Sequence, residues 1–264
     1  MQRPPNRSAP PVLFAHGTSE WIRRVNEKHK QLASLNLSSE QKGRLEKWSE
    51  IEFIHSTLAL EGFDLVRERI AEAIYSEAQV GADYSETATL LISLRKVTAL
   101  AGAKGKRAEL TTDLLRDIHS VPGAEFRKTP AASDFRKTPG STAGAVKLPA
   151  PQHLPALLES ACQWYTADSF VELNPIEQAA LVLLRLIEIQ PFEEKNERTA
   201  LVAASLFTLR SDLPPLIIKA AMNAQFLLAL DEAARMNTKP MVELLALVVA
   251  ETLDESIKQV PGVG

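Results

Sequence analysis

The 264 residues, 45% of them hydrophobic, are enough for one large domain or two small ones around a sizeable core. A formal net charge of -3 with 24% charged residues lacks the basic excess that nucleic-acid or anionic-membrane partners usually require. The single cysteine, Cys162, excludes an internal disulfide and a thiolate zinc cluster. It reads as a small core residue, and a cytoplasmic setting is expected.

The opening MQRPPNRSAPPV has no uninterrupted apolar segment of the signal-peptide kind, and no stretch approaches the length needed to cross a bilayer. Beyond it, apolar residues recur at three and four positions while strict alternation is nearly absent, which makes the chain all-α. Helices are predicted over 18–34, 39–61, 64–78, 85–102, 111–120, 152–167, 175–189, 197–210, 216–235 and 240–257. The same reading groups 1–80 as an N-terminal helical region, 81–235 as the core and 236–264 as a C-terminal helix packed on it. His16, His29, His55, His119 and His153 form no HExxH pattern and no close pair, so they read as surface or satisfied structural residues rather than metal ligands.

Residues 121–151 interrupt the helices. This stretch is rich in proline, glycine and small polar residues, and it carries FRKTP twice. It is a surface loop or, given its length, a lid or binding element. Downstream, Asn174, Pro175 and Glu177 supply a cap, a first-turn proline and a third-position carboxylate, which together start a helix. That helix is apolar around nearly its whole circumference from Ile176 to Ile189, as expected of a helix buried at the centre of a protein. The helix after it, 197–210, is also apolar, and DLPPL ends it.

Between these two helices lies IQPFEEKNERTALV, residues 189–202. The free N–H groups at the start of the second helix attract anions, so Asn196 and Arg198 suit a phosphate and Glu194 a divalent cation beside it. A plain capping turn uses the same residue types.

The stretch QPFEEKNER resembles the signature loop of the Fic (Fido-fold) proteins: His, any residue, Phe, any residue, Asp or Glu, Gly, Asn, Gly or Lys, Arg. Phe192, Glu194, Asn196 and Arg198 match in register, and the flanking NPIEQAALVLLRLIEI and RTALVAASLFTLRSDLPPLII segments are similar in order and spacing. STLALEG, residues 56–62, resembles the family's inhibitory motif through Thr57, Glu61 and Gly62, and it also reads as a helix ending in glycine. The resemblance implies a Fic/Fido-like helical domain with an N-terminal helical extension and a long irregular flap-like loop. In it Phe192, Lys195, Asn196, Glu197 and Arg198 would form the nucleotide-binding loop, with Asn196, Arg198 and the backbone on the ATP phosphates, Glu194 would bind Mg²⁺, and Arg127 and Arg136 on the flap would meet a target or a phosphate. The family's usual outcome is transfer of AMP to a protein hydroxyl, which implies a protein target or partner. A homodimer follows by analogy only.

Four positions depart from the pattern. Gln190 stands at the histidine position, and a neutral amide takes no proton near neutrality. Losing a general base costs a factor of about 10² to 10⁴. Lys195 replaces a usual glycine, at about 1 kcal/mol if the backbone there is left-handed. Glu197 sets a negative charge where phosphates are expected. Leu201 occupies the place of the second arginine that usually pairs with the inhibitory glutamate, leaving Arg198 as a substitute for Glu61. The expectation is a degenerate Fic-like protein, weak or inactive in AMP transfer and acting through nucleotide or protein binding. The alternative keeps AMP transfer with Glu193 or a target-supplied base in place of histidine.

Overall fold

The computed structural model describes residues 20–75, 82–103, 109–119, 134–140 and 148–260, with the side chains of 82–85 left aside. The described residues form an all-α fold with no strand among them: α1 (Glu20–Ser34), α2 (Ser39–Leu60), α3 (Arg67–Tyr75), α4 (Ala82–Gly102), α5 (Thr112–His119), α6 (Leu154–Trp164), α7 (Asp168–Val171), α8 (Pro175–Ile189), α9 (Asn196–Leu209), α10 (Asn223–Ala234) and α11 (Lys239–Lys258). The last residues of the helix predicted over 64–78, the flap residue Arg127 and the first FRKTP copy lie outside the described residues.

The centre of the fold is the α8–α9 pair. α8 starts as its sequence dictates: the Asn174 side chain accepts from the Ile176 N–H, and Glu177 accepts from the Asn174 N–H. Ala179, Ala180, Val182, Leu183 and Ile189 of α8 are fully buried, as are Ala200, Ala203, Ala204 and Leu206 of α9. Small residues on both helices let their backbones approach closely. On one side α11 packs on α8 and α1 on α11; on the other, α4 and α5 pack on α9, and α3 and α2 on α4. The hydrophobic cluster is continuous from Ile22 of α1 to Leu253 of α11, and Cys162 belongs to it, its thiol pushed up to about 12 mainly by burial.

Two elements differ from expectation. The helix expected over 216–235 begins only at Asn223, after a 3₁₀ turn at Ala220–Met222. Pro214 and Pro215 hold the chain extended into Leu216, Ile217 and Ile218, which are buried, and the Leu216 N–H bonds to the Ser205 hydroxyl inside the core. The second, α2, on which periodicity places Leu45, Trp48, Ile51, Ile54 and Leu58 along one face, is buried on several faces in its second half, because Glu50 and Glu52 find partners inside the fold. Arg95 of α4 grips Glu50 with Nε and Nη2, at 2.6 and 2.8 Å, and Tyr75 of α3 donates to it; Arg67 of α3 pairs with Glu52. Buried carboxylates survive only with such partners. These pairs tie α2 to the body that carries the site.

Candidate functional site

The loop 190–195 turns the chain from α8 into α9 through two left-handed residues, Gln190 at φ 42° and Lys195 at φ 60°. Each is a non-glycine in a region that costs about 1 kcal/mol or more, so the surroundings must hold them there. Two sets of contacts do so. From within, Asn196 accepts from the Phe192 N–H and donates to the Phe192 carbonyl, both at 2.9 Å. The Phe192 ring is buried and stacks face to face on His119, with centroids 3.7 Å apart. His119 bonds through Nδ1 to the Thr199 hydroxyl, which itself donates to the Lys195 carbonyl. Burial first, and then Lys195 and Arg198 nearby, lower His119 to about 4, so it is a neutral spacer under the loop.

From outside, the second FRKTP copy, residues 135–139, lies across the loop. Its Arg136 N–H donates to the Pro191 carbonyl at 2.8 Å. The Arg136 side chain, 3% exposed, donates to the carbonyls of Gln190 at 2.7 Å, Thr138 at 2.8 Å and Pro149 at 2.6 Å, with a longer contact to Ile189. A guanidinium at a helix C-terminus meets carbonyls that have no partner within the helix. This differs from the expected outward-facing basic residue of a flap: Arg136 faces inward and anchors the end of α8. Beside it, the Glu193 carboxylate accepts from the Lys137 and Thr138 N–H groups and from the Thr138 hydroxyl. The hydroxyl contact first, then the Lys137 amide, holds Glu193 below the ordinary carboxylate range, which weakens it as a proton acceptor.

The charged residues gather on the other side of the loop. Arg198 is buried in the first turn of α9, with a side chain only 5% exposed. Its Nε donates to Glu61 at 2.6 Å and its Nη2 to the other Glu61 oxygen, while its Nη1 donates to Glu86 of α4. Lys195 Nζ reaches both Glu86 oxygens, at 2.8 and 3.2 Å. Burial works against the charge on Arg198, but the two carboxylates outweigh it and raise the pKa. Burial also opposes the Glu86 charge, and the hydrogen bonds from Lys195 and Arg198 overcome it and lower the pKa.

Glu61 is placed by the end of α2. Gly62 follows at φ 87°, and the Gly62 and Phe63 N–H groups bond back to Ala59 and Leu58, closing the helix. Thr57 is buried one turn earlier. The inhibitory-type motif and the signature-type loop therefore meet, and they meet through Arg198.

Of the other loop residues, Glu194 and Glu197 are exposed, while the side chains of Phe192 and Asn196 are engaged in shaping the loop. The Glu86 partnership and the His119 stack had no local signal in the sequence: Glu86 is one acidic residue in a helix, more than a hundred positions from Arg198. The repeated FRKTP was a visible signal, but it did not say what Arg136 would hold.

A triphosphate would be held by Arg198, Lys195 and the first-turn N–H groups of α9, and Glu194 is the loop carboxylate that would share a cation with it. In the described conformation those side chains do not fit it, because both cations already carry carboxylates. Among the described residues, no group of three or more His, Cys, Asp and Glu side chains could hold a metal by itself. No described helix is long and apolar enough to cross a membrane.

Residues 109–208 match the model of the Fic/DOC family. A protein adenylyltransferase Fic of Culex quinquefasciatus is 22% identical over 259 residues, covering 94% of this chain and 50% of that protein. The chain thus spans about half the length of the curated relatives it matches. Among solved structures, a Fic domain containing signaling protein from Bacteroides thetaiotaomicron superposes with a TM-score of 0.78 at 22% identity, over 92% of this chain and 99% of that one. Fic-1 from C. elegans superposes with a TM-score of 0.77 at 20% identity, over 91% of this chain and 71% of that one.

Proposed function

We infer that this chain, a member of the Fic/DOC family, is a Fic-like protein with a degenerate loop that transfers AMP weakly or not at all and works through binding a nucleotide's phosphates or a protein partner. The observation that carries this reading is Arg198: all three nitrogens of the one arginine of the signature-type loop donate to internal carboxylates, Glu61 and Glu86. The residue at the base position adds to it. Gln190 has no titrating group near neutrality, and the neighbouring Glu193 is committed to the 137–138 backbone and held as a stable anion. A loss of general-base assistance of about 10² to 10⁴ then leaves the scaffold with little turnover.

With Mg²⁺ and labelled ATP, the purified protein is expected to incorporate no AMP into itself above the level of its Arg198→Ala variant. Incorporation that Arg198→Ala abolishes would overturn this reading in favour of an active adenylyltransferase with a non-histidine base. Calorimetric titration with ATP separates the two binding modes, since a pocket that serves only as scaffold for a protein partner takes up no heat at millimolar nucleotide.

A further inference from the structure

The guanidinium of Arg198 has two edges, and a different helix covers each. Glu61, at the end of α2, holds Nε and Nη2. Glu86, near the start of α4, holds Nη1 and at the same time both contacts of Lys195. Withdrawing α2 would remove only the first of these. α4 packs directly on α9, the helix that carries Arg198, and its Leu90, Leu91 and Leu94 are buried in the shared core, so Glu86 is held by packing that does not depend on Glu61. Lys195 belongs to the same unit, for the cation that stands in the usual glycine position is matched by Glu86 rather than left to a phosphate.

Resting on the reading of this loop as a phosphate-binding site, we propose that Glu86 is a second built-in carboxylate that seals Arg198 and Lys195 independently of Glu61, so that the site opens fully only when both carboxylates are removed. With both in place the four groups sum to zero charge; with Glu61 gone the sum is +1, and only with both gone does it reach the +2 suited to a polyphosphate.

Phenylglyoxal tests the seal without any nucleotide, because its adduct closes across Nη1 and Nη2 of one guanidinium. The full chain is compared with Glu61→Gln, Glu86→Gln and the double variant, and labelling of Arg198 is followed by mass spectrometry. Labelling is expected to stay slow in both single variants, which each leave one terminal nitrogen covered, and to rise at least about ten-fold in the double variant, with Glu86→Ala in place of Glu86→Gln giving the same order. If Glu61→Gln alone labels as fast as the double variant, or if the double variant stays protected, Glu86 is not a second seal. ATP titration of the same proteins tests the other premise. Tighter binding in the double variant than in Glu61→Gln supports both, whereas a double variant whose Arg198 labels readily but which takes up no ATP removes the phosphate-binding reading and leaves the seal standing.

Discussion

Replacing Arg136 by alanine should show how much of the loop's shape depends on one buried side chain. The guanidinium makes three good charge-assisted bonds to the carbonyls of Gln190, Thr138 and Pro149 and is 3% exposed. Bonds to a charged group contribute about 1.5 to 3 kcal/mol each, and a buried acceptor left without a donor costs about 1 to 3 kcal/mol. Some of these carbonyls would recover a water once the side chain is gone, so the sum is discounted to about 3 to 5 kcal/mol. For a protein of this size that corresponds to a fall in Tm of roughly 10 °C, read by thermal or urea unfolding. The control is Lys137→Ala, whose side chain is exposed and whose useful atom is its backbone N–H; it should stay within about 0.5 kcal/mol of the parent. An Arg136→Ala protein as stable as the Lys137→Ala protein would refute the claim that this guanidinium anchors the end of α8.

Two further outcomes are expected. His119 has a folded value of about 4 against an ordinary 6.5, so burial in the neutral form contributes stability that is complete above pH 6.5 and is lost as the pH falls towards 4. That loss is about 3 kcal/mol at most, and His119→Phe, which keeps an aromatic ring on Phe192, should flatten the dependence of Tm on pH in that window; an unchanged slope would show that His119 is not the group responsible. Gly62→Ala adds a Cβ with nothing within 4 Å of it, so its cost is the left-handed backbone alone, about 1 kcal/mol by urea unfolding, and a change below about 0.3 kcal/mol would mean that the end of α2 simply rearranges.

Much of this protein was legible in its residues, because the signals are local. Asn174, Pro175 and Glu177 define the start of α8 within four residues, and Gly62 defines the end of α2. The apolar runs identify α8 and α9 as the central pair, and the polar stretch between them as the loop that matters. For Lys195 the loop's pattern posed a left-handed backbone only as a condition, and the fold meets it at φ 60°.

Packing decided the rest. The motif pattern offered Arg198 to Glu61, but Glu86 reaches Arg198 across 112 positions of sequence, and only the packing of α4 on α9 brings it there. A basic residue in a flap-like loop reads as a contact for a target or a phosphate until the fold shows that Arg136 lies against the carbonyls at the end of α8. Sequence can declare where a helix begins, because a cap and its donors are a few residues apart. It cannot declare which charges neutralise one another, because that depends on which helix faces come together when the core closes.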